Sequence, residues 1–186
     1  MEPSMDLLLK KTVALVGMMG SGKTTIGSAV AKALSVPFMD SDAEIEKAAN
    51  LSIAEIFELC GESFFRRKET QVIVRLLEGE CGILSTGGGV FLNPANRRVI
   101  SARGVALWLR ADLELLWSRV SHKDTRPLLQ TDDPFATLAE LCDARNPVYG
   151  LADLRVDVRG EYTVQDTSER VLGALLSRPD VLARRS

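Results

Sequence analysis

The sequence holds a single histidine, His122, and three widely spaced cysteines, Cys60, Cys81 and Cys142. One histidine excludes a metal centre built on several imidazoles. Three scattered cysteines exclude a C-x-x-C redox or zinc motif and point to reduced, partly buried thiols in a cytoplasmic protein. No apolar run approaches the length of a membrane span, so no membrane partner is expected. Met1 to Lys11 starts acidic, with Leu7-Leu8-Leu9 as its only apolar block, and no secretory signal is expected there. Neither sign of charge dominates: Lys plus Arg number 23 and Asp plus Glu 25, a net charge of -2. That balance gives no general attraction to nucleic acid. What remains is a chain of 186 residues with 46% hydrophobic side chains, enough for one domain over 1–186 with its own core. A domain of that size needs no partner to bury its core, so a monomer is expected.

Against this background one stretch stands out. Gly17 to Thr24 reads GMMGSGKT and fits G-x-x-x-x-G-K-[ST], the phosphate-binding P-loop. The glycines let the backbone turn tightly and bring N–H groups to phosphate oxygens. Lys23 supplies a point charge for the β- and γ-phosphates, and the Thr24 hydroxyl suits Mg²⁺. The flanks agree: Thr12 to Val16 reads as a buried strand, and Ile26, Val30, Ala33 and Leu34 recur with helical spacing. The start of that helix would aim its positive dipole end at the phosphates.

Strands then alternate with helices, the pattern of a parallel α/β sheet. Ser35 to Met39 forms a strand running into Asp40-Ser41-Asp42, where Ser41 and Glu44 have capping-box spacing. Ser52 and Glu55 repeat that spacing before a helix that Gly61 interrupts and Gly79 ends. Gly82 to Ser85 is the next strand, closed by Gly87-Gly88-Gly89. Asn93-Pro94 opens a helix, Val105 to Leu109 is a strand, and Asp112 caps another helix. A polar stretch over about 121–134 reads as a mobile lid. Pro134 to Asn146 is helical, Leu154 to Val158 is the fifth strand, and a last amphipathic helix carries Val171, Leu172 and Leu175. The tail after Pro179 is expected to fray. Five strands around one core follow.

In open α/β sheets ligands bind beyond the carboxyl ends of the strands, so the residues there carry the most weight. Asp40 and Asp42 either cap a helix or serve the site, one toward Mg²⁺ and one toward an attacking hydroxyl. Arg66 and Arg67 are either surface charges or an anion clamp, with Glu69 three residues from Arg66 able to hold it. Arg126, in the lid, is either a solvated charge or a cation for transferring phosphates. Arg145 either complements a helix end or binds an anionic substrate. Three successive glycines suit close approach of a ligand better than a plain turn. The residues alone describe a small, hydroxylated, anionic substrate.

Taken together, GMMGSGKTTIG, FMDSDAEIE, SIAEIFELCGESFFRRKE, STGGGV, RPLL and ARNPVYG, in that order, resemble the shikimate kinase family from Val13 to about Leu176. The resemblance implies the fold of nucleoside monophosphate kinases, a five-stranded parallel sheet flanked by helices. It implies phosphorylation of the 3-hydroxyl of shikimate by ATP, in aromatic amino-acid biosynthesis. It implies that Gly20, Ser21, Gly22, Lys23, Thr24 and Thr25 bind ATP phosphates, that Thr24 ligates Mg²⁺ with Asp40 nearby, and that Arg126 reaches ATP from the lid. Arg119 falls where the family often has an arginine against adenine. Asp42, Arg66, Gly88 and Arg145 fall on the shikimate-contacting positions. Lys23, Asp42 and Arg126 are the expected catalytic residues. The segment Arg159 to Tyr162 occupies the family's adenine-packing region without a clear counterpart. The rival readings are an aminoshikimate, gluconate or nucleoside monophosphate kinase, or a non-catalytic nucleotide-gated module.

Overall fold

The computed structural model describes residues 6–123 and 127–185. A three-residue strand, β1 (Leu7–Leu9), leads into β2 (Thr12–Val16), which is buried at all five positions. Such uninterrupted burial marks a central strand of a sheet covered on both faces. Helix α1 (Lys23–Leu34) returns the chain to β3 (Phe38–Asp40), followed by α2 (Ser41–Ala49) and α3 (Ile53–Glu78). Then come β4 (Ile83–Ser85), α4 (Pro94–Arg103), β5 (Gly104–Ala111), α5 (Leu113–Val120) and α6 (Pro134–Tyr149). The chain closes with β6 (Leu154–Val158), α7 (Val164–Leu176) and β7 (Leu182–Arg184).

Five of these strands pair in the order β3-β4-β2-β5-β6, and every pairing is parallel. Parallel neighbours need crossover connections, which the helices supply. The arrangement places the carboxyl ends of all five strands along one edge. There the chain leaves Val16 for the P-loop, Asp40 for α2 and Ser85 for the glycine triplet. The expected five-stranded parallel sheet flanked by helices is the observed architecture.

Local rules explain where the helices start. Ser52 and Glu55 form a reciprocal capping box; Asn93, Asp112, Asp133 and Thr163 each accept a backbone N–H at the start of a helix. Gly61, at φ 80° and ψ 171°, breaks α3 into two helical segments, as the sequence suggests.

Several expectations need correction. Ser41 does not cap α2. Asp40 does, its Oδ1 accepting from the N–H groups of Asp42 at 3.0 Å and Ala43 at 3.1 Å. Ser41 is already helical and fully buried, so its hydroxyl serves another partner. The second sheet strand starts at Phe38 rather than Ser35, because Ser35 closes α1 in a left-handed conformation. The tail after Pro179 is not frayed: β7 pairs antiparallel with β1, and Val181 and Leu182 are fully buried. The Leu7-Leu8-Leu9 block is the partner that orders it. Nor is the core single, since Ile45, Ile56, Phe65 and Val72 form a separate cluster between α2 and α3. Of the three thiols, Cys60 is exposed, Cys81 half-buried and Cys142 buried.

Candidate active site

A cleft of about 690 Å³ lies beyond the strand ends. That volume is typical of a small-molecule site. Its floor is the P-loop. Gly22 takes φ 96°, a conformation that only glycine adopts freely, and passes directly into α1. Among the described α-helices, α1 alone starts without a side-chain cap, and no acidic residue lies in its first turn. Its first N–H groups therefore face the cleft with no side chain of the protein bound to them. Lys23 Nζ donates to the carbonyls of Gly17 at 2.8 Å and Met18 at 3.0 Å, which holds the ammonium over the loop. Gly20, Gly22, Lys23, Thr24 and Thr25 line the cleft. Ser21 is not brought to its surface: the side chain is buried, and the N–H donates to the Met18 carbonyl.

Arg119 approaches the loop from α5 and donates from Nη1 to the Gly20 carbonyl at 3.0 Å. It also lines the cleft, as do Tyr162, Thr163 and Val164. The segment after β6, which has no clear counterpart in the family pattern, reaches the cleft through these three residues. Arg170 lies over the Tyr162 ring at 4.2 Å from its centroid. This part of the cleft lining thus includes an aromatic ring with a cation stacked on it.

Thr24 Oγ1 lies 3.4 Å from Asp40 Oδ2 and 3.4 Å from Ser85 Oγ. Three hard oxygens meet at the P-loop, a donor set that suits Mg²⁺. Among the described residues no cluster of three His, Cys, Asp or Glu side chains forms a complete metal cage. Mg²⁺ commonly binds through one or two protein oxygens, water and substrate phosphates, so the sparse set fits it.

The other half of the cleft carries Asp42, Arg66, Gly87 to Gly89 and Arg145. Burial pushes the Asp42 carboxyl above the usual carboxylate range, and neighbouring Asp40 adds to the rise; Lys23 and Arg66 oppose it. Arg66 Nη1 donates to Glu69 at 3.0 and 3.3 Å, and Glu62 approaches Arg66 Nε at 3.5 Å. Glu69 is 1% exposed, and burial raises its pKa against the pull of Arg66. A buried carboxylate thus fixes the guanidinium that faces the cleft. Arg67 instead is exposed and packs over Phe64, so the two adjacent arginines divide into one site residue and one surface charge.

The glycine triplet is explained by crowding. A Cβ on Gly87 would meet Asp42 Oδ1 at 2.7 Å, and one on Gly88 would meet Arg145 Nη1 at 3.3 Å. A Cβ on Gly89 would collide with the Arg66 guanidinium. Gly89→Ala is therefore expected to push the Arg66 guanidinium off Glu69 and leave that buried carboxylate without its cation, at a cost of about 1–3 kcal/mol of stability. Urea unfolding of the two proteins checks this; equal midpoints would show that Arg66 moves aside freely.

Of the expected site residues the structure brings together all but two. Ser21 lies beneath the surface, and Arg126 lies outside the described residues. Pro127 and Leu128, which follow Arg126, do line the cleft. The sequence reading missed Ser41, Ser85 and Tyr149. Tyr149 sits one helical turn after Arg145, and that spacing alone was a usable signal.

The shikimate kinase family model matches residues 19–175. The chain is 61% identical over 174 residues to a shikimate kinase of Ruegeria pomeroyi, covering 94% of this chain and 89% of that protein. It is 60% identical over 174 residues to a shikimate kinase of Cereibacter sphaeroides, covering 94% of this chain and 87% of that one. Among solved structures, shikimate kinase from Acinetobacter baumannii in complex with shikimate superposes with a TM-score of 0.84 at 36% identity, covering 90% of this chain and 93% of the other.

Proposed function

The chain belongs to the shikimate kinase family, and from that premise we propose that it transfers the γ-phosphoryl group of ATP to the 3-hydroxyl of shikimate. The products are shikimate 3-phosphate and ADP, on the route to chorismate and the aromatic amino acids. One observation carries the reading. Asp42, Arg66, Gly88 and Arg145 converge in the same cleft as an uncapped helix N-terminus and Lys23. A carboxylate acceptor, two guanidinium groups and a bare peptide suit a small hydroxylated acid, and the P-loop suits the triphosphate.

The mechanism follows from charge and position. Gly20, Gly22, Thr24 and Thr25 cradle the phosphates, with Ser21 shaping the loop from beneath. Arg119 and Tyr162 flank the adenine. Arg66 and Arg145 grip the substrate carboxylate, which fixes the hydroxyl presented to the γ-phosphorus. Asp42 accepts the hydrogen bond of that hydroxyl. The hydroxyl oxygen forms the new P–O bond as the bond to the β–γ bridging oxygen breaks; the proton passes to Asp42, and ADP leaves with the negative charge. A carboxylate whose pKa burial has raised is a stronger base than an exposed one. Lys23 and the amides of α1 offset charge gathering on the phosphate oxygens. Thr24 and Asp40, with Ser85 beside them, would hold Mg²⁺, which supplies Lewis-acid neutralisation of the phosphates when bound. Arg126, in a lid over about 121–134, adds a further cation as water is excluded. We place the enzyme in the cytoplasm as a single-domain monomer with no nucleic-acid or membrane partner. No described helix is long and apolar enough to cross a membrane.

Arg66→Ala removes one charge-assisted contact, worth about 1.5–3 kcal/mol, so shikimate KM is expected to rise roughly ten- to a hundredfold. ATP KM should stay near its original value. Steady-state ADP release with each substrate varied in turn measures both. An unchanged shikimate KM would remove Arg66 from the carboxylate grip.

A further inference from the structure

Three consecutive glycines line the substrate half of the cleft, and a free glycine loop would hold no fixed direction. This loop is held by residues outside it. The Gly87 N–H donates to Ser41 Oγ at 2.9 Å. The Tyr149 hydroxyl donates to the Gly88 carbonyl at 2.7 Å. The Gly87 carbonyl accepts from the Val90 N–H at 3.1 Å. Each peptide is planar and trans, so these three bonds orient three successive peptide units. The Gly88 N–H lies opposite the Gly87 carbonyl in its plane and is turned away from Val90.

The Ser41 hydroxyl is turned onto the loop, and the Tyr149 hydroxyl serves both the loop and the Arg145 side chain. Ser41 and Tyr149 are both fully buried, where alanine and phenylalanine would serve packing alone. Their places in the chain matter more. Ser41 lies between Asp40 and Asp42 on α2. Tyr149 lies one turn after Arg145 on α6, and the Arg145 guanidinium faces the same hydroxyl. Burial raises the Tyr149 pKa while Arg145 opposes it, so the phenol stays a donor through the neutral range.

We propose that Ser41 and Tyr149 are positioning residues that pin the Gly87–Gly89 loop between the helix carrying Asp42 and the helix carrying Arg145. Substrate then meets the carboxylate, the Gly88 peptide and the arginine in one preset geometry. The proposal rests on the substrate role given above to Asp42, Gly88 and Arg145. Neither residue touches the reacting atoms; each acts through the loop.

Tyr149→Phe keeps the ring against Trp108 and removes only the hydroxyl. Ser41→Ala removes the other pin from an independent element, and carries the test alone if the tyrosine variant fails to fold. In each, shikimate KM is expected to rise about five- to tenfold, the effect of one neutral hydrogen bond. ATP KM and kcat are expected to stay within about twofold. The experiment is steady-state kinetics of both variants beside wild type, varying each substrate, with thermal melting in parallel. A shikimate KM within twofold of wild type in both variants overturns the proposal. So does a fall in kcat joined to a rise in both KM values with a lowered melting temperature, which marks a structural role alone. A selective rise in one variant only limits the role to that residue and overturns the two-point pin. Wild-type protein that does not phosphorylate shikimate overturns the functional reading itself, and this proposal with it.

Discussion

Lys23→Ala is expected to lower kcat by roughly a hundred- to a thousandfold, the usual loss when one preorganised charge or donor is removed from a transition state. The cleft floor explains why the loss is large. The first amides of α1 carry only partial charge, whereas Lys23 brings a full charge held over the loop by the Gly17 and Met18 carbonyls. Arg119 reaches the loop but is spent on the Gly20 carbonyl at its flank. Charge on the transferring phosphoryl group is spread over its oxygens, so the compact ammonium matters more in the transition state than in the bound nucleotide. ATP KM should accordingly change less than kcat. Rapid measurement of kcat in a variant shown by circular dichroism to be folded checks this. A kcat within tenfold of wild type would mean that Lys23 only shapes the loop.

Asp42→Asn is expected to abolish most turnover and, at neutral pH, to stabilise the fold. The two effects have one cause. Burial and Asp40 raise the Asp42 pKa, so its ionised form is disfavoured in the folded protein relative to the unfolded chain. For a carboxyl raised on folding, the stability contribution is fully present below the unfolded pKa and is lost as pH rises through the folded pKa. Wherever Asp42 is ionised in the native protein its charge opposes folding, and asparagine lacks that charge. Activity has the opposite sign. The ionised form accepts the hydroxyl proton, so activity should fall as pH drops through the raised pKa. In wild type the acid limb of kcat/KM for shikimate should thus lie above the ordinary carboxylate range, and the residual activity of Asp42→Asn should lack that limb. Melting temperature at pH 7 and the pH–rate profile test both halves. A variant less stable than wild type with an intact acid limb would contradict the assignment.

The donor half of the site was legible because its chemistry is local. Eight consecutive residues specify a turn, a cation and a hydroxyl, and backbone geometry does the rest. The parallel sheet was also legible, from the alternation of strands and helices, while its strand order was not assigned. The acceptor half was legible only as separate candidates, because Asp42, Arg66, Gly88 and Arg145 lie on four elements that meet only in the folded sheet. Family resemblance joined them; residue types alone gave only a hydroxylated anion as ligand.

What escaped was settled by packing. Ser41 has good capping chemistry, yet Asp40 stands one residue nearer the strand end and its carboxylate accepts two N–H groups at once. The serine was then free to turn inward onto the glycine loop. The ordered tail depends on pairing between Leu7–Leu9 and Leu182–Arg184, ends of the chain that no local pattern connects. Ser21 fits the P-loop motif, but the tight turn buries its hydroxyl. Tyr149 reads as a core aromatic because its ring is one; only its hydroxyl, 2.7 Å from the Gly88 carbonyl, shows a second task.

The most direct test of the account is the product itself. Purified protein incubated with ATP and Mg²⁺ is offered shikimate, aminoshikimate and gluconate in separate reactions, with ADP release followed by a coupled assay and the phosphorylated product located by phosphorus NMR. Fast ADP release with shikimate is expected, with one phosphate ester on the 3-hydroxyl and far slower turnover of gluconate, which lacks the compact ring that Asp42, Arg66 and Arg145 hold between them. Equal or faster turnover of gluconate, or no ester formed from shikimate, would contradict it.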